Sequence, residues 1–321
     1  MKTLEIISLQ YPHQFIRTEM EETVAAIGFF DGIHKGHQNV IETAKEIAKR
    51  ENRKSAVITF SPHPSVVLKK QKKPIHYLTP FTEKKAILED MGIDVLYIIT
   101  FNKVLSQLSA SEFVSDFIVG LHIKHLVAGF DFTYGYMGKG TITTLKEDAK
   151  GKFAVTTIDK LEDEGEKVSS TWIRQLLIDG EVKKINDLLN RPYQTSGIVV
   201  QGEKRGRTIG FPTANIAVEA DYALPKVGVY AIRASISNQE KVTGMANVGY
   251  KPTFHEDNQI DHPTIEVHLF DFEQDIYGKS VRIEWIDFIR DEVKFNGVDQ
   301  LIDQLKKDEQ QIRHLFTTID D

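Results

Sequence analysis

Two histidines three residues apart, His34 and His37, lie among glycines in the run Gly28-Phe29-Phe30-Asp31-Gly32-Ile33-His34-Lys35-Gly36-His37. An apolar stretch, Val24 to Gly28, precedes the run and an amphipathic one follows it, so the spacing predicts a turn from a strand into a helix that begins near Lys35. Such a junction offers free N–H groups to phosphate at the carboxyl end of a strand. Gly32 and Gly36 permit close backbone approach, and both imidazoles fall on one face, where they could meet one anion. A single histidine at a helix start is more often a cap or a packed surface residue. Paired histidines with two glycines favour chemistry: stabilising charge on a phosphorus centre, worth about 10²–10³ in rate per donor by comparison with oxyanion holes.

Other segments supply possible partners. Ser169-Ser170-Thr171-Trp172-Ile173-Arg174 reads as hydroxyl caps followed by an arginine in the first helical turn, where a cation opposes the helix dipole unless an anion is near. An ordinary surface arginine fits that segment equally well. Gly129-Phe130-Asp131-Phe132-Thr133-Tyr134-Gly135 ends another strand, so Asp131 and its aromatic neighbours either border the same crevice or form a turn beside the core. His63, in Ser61-Pro62-His63-Pro64, is the weaker candidate because the prolines alone would end a strand.

The second half carries Gly202-Glu203-Lys204-Arg205-Gly206-Arg207-Thr208-Ile209-Gly210-Phe211-Pro212-Thr213-Ala214-Asn215, which lacks the glycine spacing and Gly-Lys-Ser/Thr ending of a P-loop. The stretch Gly135 to Thr141 fails the same test. In an extended segment Thr213 and Asn215 project to one side, and their oxygens suit a Mg²⁺ that keeps water and phosphate as its other ligands. Without context, a turn with two solvated side chains is the plainer reading. Thr264-Ile265-Glu266-Val267-His268-Leu269-Phe270 alternates with period two, placing Glu266 opposite the apolar Ile265, Val267 and Leu269. There it is either a solvent-facing carboxylate or a base that takes a proton from an attacking alcohol, worth about 10²–10⁴ in rate.

The elements that must hold these residues change character along the chain. Val24 to Gly28, Ala56 to Phe60, Val95 to Thr100 and His125 to Phe130 read as buried strands, with helices near 37–50, 82–91 and 111–120. This rhythm predicts an α/β unit with a mostly parallel sheet and helices on both faces. A helical stretch over 170–190 ends near Asn190, before Pro192. Five β-rich runs follow, at 195–201, 227–236, 242–249, 264–270 and 281–286, and predict an antiparallel barrel with a helix from Val298 to about Phe316 packed on it. The border is set at 187/188, giving units 1–187 and 188–321.

Composition narrows the functional classes. The 321 residues are 41% hydrophobic and 27% charged, with a formal charge of -6 and no cysteine, which removes disulfides, thiolate metal sites and Cys nucleophiles. The acidic balance argues against broad nucleic-acid binding, and the cluster Lys69, Lys70, Lys72 and Lys73 reads as a solvated loop. No stretch has the length of a membrane span, and the first residues do not read as a secretory signal, so a cytoplasmic location is expected.

The His34-Lys35-Gly36-His37 pattern resembles that of the nucleotidyltransferase superfamily, and over nearly its full length the chain resembles bacterial bifunctional riboflavin kinase/FMN adenylyltransferase. The resemblance is carried in the first half by Phe30 to His37, Gly129 to Phe132 and Ser169 to Arg174. In the second half it is carried by Arg191-Pro192-Tyr193, Gly206-Arg207, Gly210 to Asn215, Gly228-Val229-Tyr230, Pro252-Thr253-Phe254, Glu266 to Leu269, Ile289-Arg290 and Lys294-Phe295. It implies ATP-dependent formation of FMN in the second half and of FAD, with release of pyrophosphate, in the first. It implies Mg²⁺ with ATP, flavin as substrate and product, and neither nucleic acid nor membrane as partner.

The implied catalytic residues are His34, His37 and Glu266. ATP falls to Gly28, Phe30, Asp31, Gly36, Ser169, Ser170, Thr171 and Arg174 in one half and to Gly206, Arg207, Thr213 and Asn215 in the other. The flavin falls to Asp131, Phe132, Phe211 and Arg290, and the metal to Thr213 and Asn215. The family often has Asn at Phe29, Gly at Asn190 and Arg at Lys251. Two rival readings are another His-x-Gly-His nucleotidyltransferase with an added β domain, and a flavin-sensing regulator without turnover.

Overall fold

A computed structural model describes residues 3–13, 20–68, 75–202, 205–218, 221–237, 239–250 and 263–320. Lys69 to Lys73, Lys251 and Pro252-Thr253-Phe254 lie outside them. The chain divides into two compact units, Met1–Ser170 and Thr171–Asp321.

The first unit is built on β1 (Glu5–Leu9), β2 (Thr23–Ile27), β3 (Lys54–Ser61), β4 (Val95–Thr100), β5 (Ile123–Gly129) and β6 (Ala154–Ile158). They form one parallel six-stranded sheet in the order β1-β4-β3-β2-β5-β6. Every residue of β2 is buried, as a central strand covered on both faces requires. Val24 and Ala26 point into a core with Val40, Ile41, Ala44 and Ile47 of α1 (Lys35–Arg50). Ala25 and Ile27 point into a second core with Phe113, Phe117, Ile118 and Leu145. Helices therefore cover both faces, and because β2 is flanked by β3 and β5, its carboxyl end is the point where the strand order reverses.

The sequence reading lacked the edge strands β1 and β6, most of whose residues are exposed or half-buried. Helices α2 (Pro64–Leu68) and α3 (Phe81–Asp90) follow β3. The helix expected over 111–120 forms as α4 (Ala110–Phe113) running into a wider π turn, Val114–Val119, closed by Gly120 N–H on the Ser115 carbonyl at 2.8 Å. A further helix, α5 (Ile142–Ala149), begins at Thr141, whose side chain caps it, so Thr141 serves as a cap and not as part of a phosphate loop. A two-stranded hairpin, β7 (Glu162–Asp163) and β8 (Glu166–Lys167), ends the unit.

The second unit opens with α6 (Ser170–Asp179) and α7 (Val182–Leu189), separated at Gly180, whose φ of 86° breaks the single helix expected over 170–190. Then come β9 (Tyr193–Val200), α8 (Arg205–Thr208), β10 (Ala214–Val218), β11 (Gly228–Ile236), β12 (Lys241–Tyr250), β13 (Pro263–Leu269), β14 (Ser280–Arg290) and α9 (Val298–Asp320). The six strands close an antiparallel barrel in the order β10-β13-β12-β11-β14-β9. β10 was expected as an extended segment only; it is the strand that joins β9 to β13 and removes both edges. On the outer face, Ile312 and Phe316 of α9 pack with Phe211, Val229, Met245 and Phe270.

The second unit includes α7 because that helix rests on the barrel. Val182 and Ile185 are fully buried, Asn186 Nδ2 donates to the Trp285 carbonyl at 2.8 Å, and Asn186 Oδ1 accepts from Tyr193 N–H at 2.7 Å. Asn190 ends α7 with φ 56°, the left-handed conformation in which Gly and Asn are interchangeable caps. A fragment from Thr171 should therefore melt cooperatively and outlast one from Leu188. Losing two buried aliphatic side chains costs the shorter fragment about 3 kcal/mol or more. Equal denaturation midpoints for the two would show that α7 adds nothing to the barrel.

Candidate active sites

The first site grows from the end of β2. Gly28 N–H bonds the Ile58 carbonyl at 3.1 Å, after which the chain leaves the sheet through Phe30 (φ 53°), Gly32 (φ 89°) and Ile33 (φ 40°). A bulky and a β-branched residue at positive φ store about 1–3 kcal/mol each and persist only where the surroundings impose them. The constraints are on hand. The Phe29 carbonyl accepts from Lys84 Nζ at 2.7 Å and Thr59 Oγ1 at 3.0 Å. The buried Asp31 carboxylate accepts from Thr79 N–H at 3.0 Å and Leu78 N–H at 3.3 Å. The Asp31 carbonyl accepts from Ser170 Oγ at 2.8 Å, which ties the Ser/Thr segment to the turn. A side chain on Gly28 would run into the Phe30 ring at 2.9 Å, so that glycine makes room for the aromatic.

α1 begins at Lys35, and His34 is its N-cap, with Nδ1 accepting from the His37 N–H at 3.3 Å. His34 is therefore a cap, as a single histidine at a helix start often is, and it stands in the turn after β2. Its ring stacks on that of His37 with centroids 3.6 Å apart and planes 20° from parallel. Phe30 meets His37 edge-on at 5.3 Å. Because Nδ1 of His34 is an acceptor, a neutral ring carries its proton at Nε2. Burial, and then the charges of His34, Lys84 and Lys167, hold the His37 pKa well below its ordinary value, so this ring is neutral near pH 7. Nδ1 of His37 is buried without a hydrogen-bond partner among the described residues. The first turn of α1 contains no acidic side chain, which leaves the positive end of its dipole for an external anion.

Around this turn the remaining predicted residues separate. The exposed Asp131, at the end of β5, is ion-paired to Lys167 Nζ, which also lies 4.7 Å over the Phe130 ring. Phe132 stacks on Tyr134 at 5.7 Å. His63 accepts from Ser65 N–H at 3.1 Å and meets Phe29 edge-on at 4.2 Å, which makes it a turn residue and a wall for that ring. α6 begins at Ser170, so Arg174 opens its second turn and not the first, and Thr171 is exposed.

The second site lies on the outer face of the barrel. Asn215 on β10 is the direct cross-strand partner of Glu266 on β13, and Glu266 is in turn opposite Asn247 on β12. Ile265 and Val267 face the interior and are buried, as the alternation predicts, while Glu266 is half-buried on the other side. Two glycines shape the loop before β10. A Cβ on Gly202 would fall 1.9 Å from Asn215 Nδ2, and one on Gly206 would fall 2.2 Å from the Phe211 carbonyl and 3.3 Å from Thr213 Oγ1. Their missing side chains are the space through which Thr213 and Asn215 approach the loop. His268 Nδ1 pairs with the Pro212 carbonyl at 2.7 Å and fastens the Phe-Pro-Thr turn to β13.

Phe211 is buried in the cluster beneath α9, and Arg207 is exposed on α8. Arg290 directs Nε and Nη2 to the buried Asp308 at 2.7–3.0 Å and Nη1 to the Asp291 carbonyl at 3.0 Å, so its guanidinium locks α9 to the barrel.

Sequence reasoning missed Lys84, Lys167 and Asn247, and it placed His268 on the period-two face of Glu266 without giving it a role.

Residues 16–172 match the FAD synthetase family and residues 189–316 the riboflavin kinase family. The chain is 47% identical over 319 residues, 99% of each chain, to the bifunctional riboflavin kinase/FMN adenylyltransferase of Bacillus subtilis. It is 48% identical over 298 residues, 93% of this chain and 94% of the relative, to that of Listeria monocytogenes. A crystal structure from Streptococcus pneumoniae described as a macrolide-efflux protein superposes with a TM-score of 0.85 at 37% identity, covering 96% of this chain and 98% of that one. Among the described residues no helix is long and apolar enough to cross a membrane. An α/β nucleotidyltransferase unit followed by a β-barrel kinase unit defines the class, and the chain belongs to the bifunctional riboflavin kinase/FMN adenylyltransferases.

Gly202→Ala should keep the barrel's melting transition, because the group displaced is the end of the Asn215 side chain, yet lower riboflavin phosphorylation at least about tenfold, or about 1.4 kcal/mol. FMN adenylylation in the same preparation should be unchanged. Parental kinase activity would separate Asn215 from the reaction.

Proposed function

We propose that the two reactions of this chain are carried by two separate anion sites, the first at the end of β2 and the second on the outer face of the barrel. What supports this is that each unit builds its own strained or glycine-opened phosphate cradle. In the second unit Glu266 takes the proton of the riboflavin 5′-hydroxyl as that oxygen attacks the γ-phosphorus of ATP, giving FMN and ADP. Gly206 and Arg207 face the nucleotide, and Phe211 the flavin, while Arg290 holds α9 in place. In the first unit an FMN phosphate oxygen attacks the α-phosphorus of a second ATP, giving FAD and pyrophosphate. His34 donates through Nε2–H, and the stacked His37 ring donates beside it, to the charge that grows on the phosphates.

Gly28, Phe30, Asp31 and Gly36 form the turn whose backbone receives the nucleotide; Ser169 and Ser170 complete its phosphate contacts. Asp131 and Phe132 face the flavin. Neither reaction requires a covalent intermediate, so positioning and charge neutralisation supply the rate.

The donor set fits Mg²⁺. Thr213 and Asn215 offer neutral oxygens of the kind this ion accepts beside water and phosphate, and among the described residues no cluster of three His, Cys, Asp or Glu side chains competes for a softer metal. Thr213 and Asn215 would hold the ion, which would supply charge neutralisation on the transferring phosphoryl group. We place FMN adenylylation in the unit Met1–Ser170, riboflavin phosphorylation in the unit Thr171–Asp321, and the protein in the cytoplasm.

Glu266→Gln keeps the side chain's shape but cannot take a proton. With riboflavin, ATP and Mg²⁺, this variant should form FMN at least about 10²-fold more slowly than the parent, the lower end of general-base effects. Supplied FMN should still become FAD at the parental rate, and chelation of Mg²⁺ should stop both conversions. Near-parental FMN formation by the variant would remove Glu266 from the base role.

A further inference from the structure

Lys84 is 5% exposed, although it lies in the first turn of a helix whose residues Thr82 and Lys85 face solvent. It follows Pro80, the N-cap of α3, and its backbone N–H closes the first turn on the Pro80 carbonyl at 2.9 Å. From there the side chain reaches beneath the turn after β2. Nζ donates to the Phe29 carbonyl at 2.7 Å, approaches Thr59 Oγ1 at 3.5 Å and lies 4.5 Å from the centroid of the Phe29 ring. A buried ammonium is costly unless its charge does something that a methyl group could not. The carboxylate that balances it is that of Asp31, two residues beyond the carbonyl it binds.

We propose that Lys84 is a positioning residue for adenylyl transfer: its ammonium pins the Phe29 carbonyl and, with Asp31, forms a charge-balanced floor beneath the phosphate cradle. The proposal rests on the assignment of FAD formation to the first unit. Pinning Phe29 fixes the residue before the positive-φ Phe30, whose ring is one wall against His37. The same charge lies close enough to His37 to help hold that ring neutral, as a hydrogen-bond donor and not a competing cation. An uncharged isostere would leave the Phe29 carbonyl with one donor fewer and the Asp31 carboxylate unbalanced beneath an incoming triphosphate.

The charge is titratable in an accessible range. Burial brings the Lys84 pKa down to about 8, with Asp31 opposing the shift. The other titratable groups around the turn are His34 and His37 at the start of α1, His63 against the Phe29 ring, Tyr77 beside it, and Lys167 from the β7–β8 hairpin. The ammonium is present below about pH 8 and is lost as pH rises through that value, so the function it supports is lost in the same direction.

The experiment uses the full chain and reads kcat/KM for FMN adenylylation from pH 6.5 to 9.5, with riboflavin phosphorylation measured in parallel. kcat/KM reports the free enzyme's ionisations. The parent should lose adenylylation above about pH 8 while phosphorylation follows a different profile. Lys84→Met should lower adenylylation at pH 7 by about 10- to 100-fold, the range for a lost charged hydrogen bond, and should lack the limb near pH 8. Its kinase rate should be parental.

His37→Ala, run beside it, tests the underlying assignment. If His37→Ala is inactive in adenylylation while Lys84→Met is parental, Lys84 has no such role and the site assignment stands. If both are parental, both readings fail. Should Lys84→Met not fold in its first unit, the parental profile decides alone: a limb near pH 8 confined to adenylylation supports the proposal, and a flat profile overturns it.

Discussion

The Phe29 carbonyl oxygen is the point on which the turn after β2 hangs. Two donors from two other elements, Lys84 of α3 and Thr59 of β3, converge on it, and the backbone beyond is forced into left-handed conformations at Phe30 and Ile33. Strain of this kind is stable only when the sheet, the helix and the loop carrying Leu78 and Thr79 are all in place. The turn is therefore held from three other elements, and with it the N–H groups at the start of α1 and the stacked histidines. Preorganisation matters more here than in most enzymes, because phosphoryl and adenylyl transfer ask little of the protein beyond positioning and charge.

The barrel unit reaches the same end by another route. Its cradle is opened by missing atoms: Gly202 and Gly206 leave the volumes into which Asn215 and Thr213 come. Register does the rest, since β10 must pair with β13 to close the barrel, and that pairing sets Asn215 opposite Glu266. Closure of the fold and assembly of the site are the same event. α9, held by Arg290 and Asp308, covers the neighbouring apolar surface of that face.

Much of the candidate site was legible in the residues because the side chains proposed for it are concentrated in contiguous runs. His34, His37 and the glycines lie within one turn, and Glu266 stands out against the alternation of β13. What the sequence concealed depends on distance in space. Lys84 sits in Glu83-Lys84-Lys85, which looks like a solvated helix face, and only the packing of α3 against the turn buries its middle residue. Lys167 meets Asp131 through a hairpin too short to register as strands. Asn247 is drawn into the row by a barrel register that no local pattern encodes. The edge strands and β10 were passed over for a related reason: short, half-exposed segments are fixed by their partners more than by their composition.

The claim that two independent sites divide the work is tested most directly by the His34→Ala/His37→Ala double variant given riboflavin, ATP and Mg²⁺, with FMN, FAD, ADP and pyrophosphate followed over time. Losing the two donors should cost several kcal/mol of transition-state stabilisation, about 3–4 for each if they act independently. FMN should accumulate at the parental rate, with ADP beside it, while FAD and pyrophosphate stay at the limit of detection. FAD formation near the parental rate with an unchanged fold would make the histidines structural, and loss of FMN formation as well would show that the two sites are coupled.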